Sequence, residues 1–97
     1  MVKIRRLVLD VMKPFEPNMI VYATELGGLH SVNSLNIVLL ETDREVQNIK
    51  ITLEGEDLDY DEINDMVKKL AGAIHSIDLI AAGSSIIESQ ATPQDKV

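Results

Sequence analysis

From Lys3 to Lys13 apolar and polar residues alternate along the chain. Leu7, Leu9 and Val11 fall on one side of an extended strand, and Ile4, Arg6, Val8, Asp10 and Met12 on the other. Lys13-Pro14 ends this strand, because proline has no N–H to donate to a ladder. The period then lengthens. Ile20, Ala23 and Gly27, with Met19 and Leu26 beside them, predict a helix over Asn18–Leu26. Glu16-Pro17-Asn18 starts it, with proline at the first helical position and a carboxylate at the positive end of the dipole. Gly27-Gly28 stops it.

Period two returns from Val32 to Thr42, where Leu35, Ile37 and Leu39 oppose Asn36, Val38 and Leu40. It returns again from Val46 to Glu54, where Ile49, Ile51 and Leu53 oppose Asn48, Lys50, Thr52 and Glu54. The polar turn Asp43-Arg44-Glu45 makes these two runs a hairpin. Asp59 and Glu62 then fit a capping box, and Leu58 with Ile63 a hydrophobic staple. Ile63, Val67, Leu70 and Ile74 continue the stripe of a second helix that ends near Gly72. A last strand is expected from His75 to Ala82, resuming at Ile86-Ile87 after Gly83-Ser84-Ser85. The stretch from Ser89 to Val97 is polar and contains Pro93, so a loose end is expected there.

The order βαββαβ predicts an α+β fold, a ferredoxin-like sandwich. Its four-stranded antiparallel sheet has the order 4-1-3-2 with both helices on one face. With 97 residues, one domain is expected over 1–90, followed by a polar tail at 91–97. One register satisfies both hairpin and central pairing. Leu39, Ile37 and Leu35 face Ile49, Ile51 and Leu53, which face Val11, Leu9 and Leu7 in turn. The opposite face then sets Asp10 beside Lys50 and Arg6 beside Glu54, opposite charges across a strand pair. Arg6, Val8, Asp10, Met12, Val38, Leu40 and Lys50 thus form a mixed apolar and paired-charge face. That suits contact with a second protein surface better than open water.

Composition narrows the function. Phe15, Tyr22 and Tyr60 are the only aromatic residues, so the core is aliphatic. Nine basic and sixteen acidic residues give a net charge of −7, which argues against nucleic acid and against an anionic membrane surface. With no cysteine, disulfides, thiolate catalysis and cysteine-ligated metals are excluded. The first residues lack the apolar run of a signal peptide, and no stretch approaches the roughly 20 apolar residues of a membrane helix. A cytoplasmic location is the expectation.

The acidic run Glu54 to Glu62 has calcium-loop spacing at Asp57, Asp59 and Asp61, but an EF-hand requires glycine where Glu62 stands and glutamate where Lys68 stands. The helix start explains most of these acids. Glu54, Glu56, Asp57 and Asp61 remain candidates for a weak hard-cation site at one end of the sandwich. At the other end stand Glu41 and Asp43, with Glu16 and Glu45 nearby. Asp10 and Asp78 are expected near each other if the last strand has matching parity. His30 and His75 belong to opposite ends and make no pair. Ser84-Ser85 lacks a base at useful spacing, and Gly27-Gly28 follows a helix rather than leading into one, which is not a phosphate loop. No catalytic set emerges, and no enzyme is expected.

The stretches Ile4–Val11, Asn48–Gly55, Ile74–Asp78 and Thr92–Asp95 resemble a small archaeal family, domain of unknown function number 211. The resemblance covers nearly the whole chain. It implies the ferredoxin-like fold, an archaeal cytoplasmic source and homo-oligomeric rings of six or seven subunits. Calcium binding is implied only at family level, with no ligand motif to carry over. The expected function is a non-enzymatic self-assembling domain that binds calcium or another divalent cation through acidic clusters. The alternative is a small-molecule-sensing regulatory domain of the amino-acid-binding type. It rests on topology alone, and the turn Lys13-Pro14-Phe15-Glu16-Pro17 lacks the glycine common in such domains.

Overall fold

A computed structural model describes residues 2–88. The elements are β1 (Ile4–Pro14), α1 (Met19–Gly27), β2 (Ser34–Thr42), β3 (Val46–Glu54), α2 (Tyr60–Lys69) and β4 (Ala73–Ala82). The strands form one antiparallel sheet in the order β2-β3-β1-β4, the predicted order read from the other edge. The tail over 91–97 and its boundary at 90 lie outside the described residues.

The period-two register is realised. Leu7, Leu9 and Val11 pair with Leu53, Ile51 and Ile49, which pair with Leu35, Ile37 and Leu39. The six from β1 and β3 are at most 1% exposed and meet Tyr22, Leu26, Ile63 and Val67 of the helices. Burial of aliphatic surface at about 25 cal/mol per Å² drives this assembly.

Four details differ from simple alternation. Bulges interrupt the β1–β4 pairing between Ile4 and Arg6, between Val8 and Leu9, and between Asp10 and Val11. Ile4 therefore packs against the core instead of joining Arg6 outside. Leu40 does not continue the alternation either. A bulge sets Leu40 and Glu41 together against Asn48. β1 runs through Lys13 to Pro14, where proline sits at the strand's last position. Finally, Ile86-Ile87 forms no strand: the backbone turns at Gly83, with φ of 121°, as Gly83 N–H donates to Lys3 O.

Helix limits moved as well. Asn18, not Glu16, caps α1, its Oδ1 accepting from Val21 N–H at 3.1 Å, so Pro17 precedes the cap. Asp59 caps α2 as expected, accepting from Glu62 N–H at 3.1 Å. The reciprocal half of the box is not made. Ser31 Oγ accepts from Asp59 N–H at 3.1 Å and donates to Glu62 Oε1 at 2.9 Å, so the preceding loop locks the helix start. α2 ends at Lys69, before Gly72. Gly72 is needed for clearance, because a Cβ there would stand 2.5 Å from the Tyr22 hydroxyl.

Candidate functional site: the outer sheet face

Both helices cover one face of the sheet, α1 over β2 and α2 over β4. Among the described residues no helix covers the other face. Its apolar members include Val8 and its β4 partner Leu79, both half-buried, and the exposed Met12 and Val38, with exposed Leu40 at the bulge beside Glu41.

Its charges are stitched together. Arg6 bonds to Glu54 Oε2 through Nε and Nη2, each at 2.7 Å, as the β1–β3 register requires. Arg6 Nη1 also reaches Glu88 at 2.8 Å, tying the segment after β4 to this face. The guanidinium holds the Glu88 carboxyl below its ordinary range, and the two acids push the Arg6 pKa up.

Lys50 stands opposite Asp10 in register, yet its ion pair is with Asp78, at 3.5 Å. The expected Asp10–Lys50 bond is thereby corrected. The β4 bulge makes Asp78 an extra residue between the partners of Val8 and Leu9, and Lys50 crosses β1 to reach it. Ser76 Oγ donates to Asp78 Oδ1 at 2.7 Å; this bond, helped by Lys50, lowers the Asp78 pKa against the cost of desolvation. Asp10 finds another partner. With its amide oriented to donate, Asn48 reaches both the Asp10 carboxylate and the Val11 carbonyl.

The acidic candidates do not converge in one copy. Among the described residues no three His, Asp or Glu side chains gather as a metal group. Glu54 is committed to Arg6, and Asp57 Oδ1 accepts from Ile4 N–H at 3.3 Å. Glu56 gives its carbonyl to Arg5 Nη1 at 2.9 Å. Asp61 lines a shallow cleft with His30, Asp57 and Glu62, and Glu41 and Asp43 line another with Met12 and Asn48.

One buried charge escaped sequence reasoning. Lys13 is 1% exposed. Its ammonium donates to Pro14 O at 2.7 Å, Gln47 Oε1 at 2.9 Å and Phe15 O at 3.4 Å, and lies 5.2 Å from the Tyr22 ring centre. Burial lowers its pKa, and Glu16 opposes that weakly. The signal was present: Lys13 shares the parity of Leu7, Leu9 and Val11.

Among the described residues no helix is long and apolar enough to cross a membrane. The pattern of the family described as uncharacterized ArCR, domain of unknown function 211, matches residues 5–96. An uncharacterized protein of Methanocaldococcus jannaschii is 47% identical over 93 residues, covering 96% of each chain.

Proposed function

The chain belongs to the uncharacterized ArCR family, whose description carries no activity, and from the geometry we propose a non-enzymatic domain that assembles with copies of itself. One observation supports this above others. Met12, Val38, Leu39, Leu40, Ile77 and Ile80 are between 41% and 57% exposed around a sheet whose core is otherwise fully enclosed. So many large aliphatic groups at the face and rim of one sheet are the mark of an interaction surface. The stitched charges of the outer face fit the same reading, because ion pairs already closed cost less to cover than free charges. Light scattering at low micromolar concentration tests it. The expected mass is a multiple of the 10.7 kDa chain, and a monomer with and without calcium overturns it.

Cation uptake is the companion reading. Since the carboxylates of one copy do not converge, calcium would be held where Glu54, Glu56, Asp57 and Asp61 of neighbouring copies meet. Calorimetric titration of chelator-treated protein should register binding heat, and a flat trace removes this part alone. The sensor reading is the weaker one. The β1–α1 turn, where such a domain would hold a ligand, is filled by the protein's own Lys13 ammonium.

A further inference from the structure

Among the described residues the sheet has two unpaired edges, β2 and β4. Edge strands present unpaired N–H and C=O groups, which soluble proteins commonly guard with lysine or proline. Neither edge contains either residue: β2 reads Ser-Leu-Asn-Ile-Val-Leu-Leu-Glu-Thr and β4 Ala-Ile-His-Ser-Ile-Asp-Leu-Ile-Ala-Ala. Each also exposes aliphatic residues toward the helix side. Leu39 of β2 pairs with the core residue Ile49, and Ile77 and Ile80 of β4 with Leu9 and Leu7, yet these three are 44%, 43% and 57% exposed. Above β2, α1 is apolar nearly all round and leaves Ile20 74% exposed, although a helix of that kind is normally enclosed.

Strand direction makes the two edges compatible. β1 is antiparallel to β3 and β4, and β3 to β2, so β2 runs with β1 and β4 against it. A second copy set beside the first in the same orientation thus brings its β4 antiparallel to the first copy's β2. Charge then chooses among the possible joints. β2 ends at a hairpin carrying Glu41, Asp43 and Glu45 against Arg44 alone. At the same end of the sheet β4 begins, with His75 near its start and Lys68 and Lys69 closing α2 just before it. Head-to-tail docking sets these acids against these bases. A two-fold joint of β2 with β2 would set the acids near Ser34, and one of β4 with β4 would set the bases near Ala82.

We infer that the β2 edge of one copy, with α1 above it, docks on the β4 edge of the next copy and extends the sheet head to tail. This rests on the self-assembly proposed above and names its surface. The bulges at Leu40 and Asp78 break both edges into short runs, so apolar burial rather than a long hydrogen-bond ladder holds the joint. Such a contact uses two different patches, and it closes into a ring or grows as a filament according to the rotation between copies.

Mixing two blocked variants tests it. Leu39→Lys disables the β2 edge and leaves β4 usable; Ile80→Lys does the reverse. Both positions are exposed, and circular dichroism melts establish that each variant is folded. Native mass should give a monomer for each alone and a two-chain species for the equimolar mixture. A homodimer of either variant, or folded variants that stay monomeric when mixed, overturns head-to-tail docking. Variants that assemble as well as the wild type overturn the edge joint and leave self-assembly standing, whereas a monomeric wild type removes both. Charge reversal provides a second reading independent of the apolar changes. Glu41→Lys with Asp43→Lys should raise the concentration for half-assembly about tenfold, and Lys68→Glu with Lys69→Glu in the same chain should restore it. No shift with folded protein, or no restoration, overturns the proposed orientation.

Discussion

Among the described residues Lys13 is the buried charged side chain. It is buried at the end of the central strand, and two backbone carbonyls and Gln47 satisfy its ammonium. Replacing it by methionine would keep much of the volume and strand three acceptors. The expected cost is about 1–3 kcal/mol in denaturant unfolding at pH 7. The sign of its pH dependence follows from its lowered pKa. Between the folded value and the ordinary 10.5, the unfolded chain binds more protons than the folded one, so stability rises with pH across that window. Lys13→Met should lose this rise. Buried Tyr22, whose pKa is raised, acts the other way only above its ordinary 10.0, so measurements between pH 7 and 9.5 isolate the lysine. Asp78 gives the mirror case. Its lowered pKa contributes stability above the ordinary 3.8 that is lost as pH falls further, so wild type and Asp78→Asn should converge in stability toward pH 3. Parity could have assigned Lys13 to the core side. The Asp78–Lys50 pair was not legible, because it depends on a bulge that alternation does not reveal.

At the scale of elements, local chemistry was readable wherever it concerned neighbours in sequence. The Asp59 cap was legible because cap and acceptor are three residues apart. Its partner Ser31 was not, because it arrives from a loop 28 residues away. Asp59→Ala should cost about 0.5–2 kcal/mol, the usual range for a lost cap. Ser31→Ala should also destabilise, by removing the bond that replaces the second half of the box. Thermal melts of both variants would check this, and an unchanged Ser31→Ala would dismiss the lock. Gly72 invites a related trial. An added methyl meets the Tyr22 hydroxyl that donates to Leu70 O at 2.8 Å, so Gly72→Ala should cost about 1–3 kcal/mol in the same melts.

For the whole molecule, the notable feature is unequal cover. The helices seal one face over the centre of the sheet, while the outer face and both rims keep large aliphatic groups in water. A chain with net charge −7 repels its copies, so the aliphatic positions of its rims and its few lysines are where association meets least resistance. On the head-to-tail reading, the assembly advantage of the wild type over the Glu41→Lys, Asp43→Lys variant should shrink in high salt, which screens the acid–base contact, and native mass of both across a salt series would follow it.

The sequence by itself determined the element order, the strand order, the enclosed face of the sheet and the Arg6–Glu54 pair. These depend on period and on neighbours along a strand or across a regular ladder, and period survives burial. Only the tertiary structure decided where the period slips: the four bulges, the turn of Ile4 into the core, the shift of Lys50 from Asp10 to Asp78, and the route from Gly83 to the Glu88 contact with Arg6. A bulge costs little locally and is settled by how two distant strands accommodate each other's twist, which no single stretch of chain encodes.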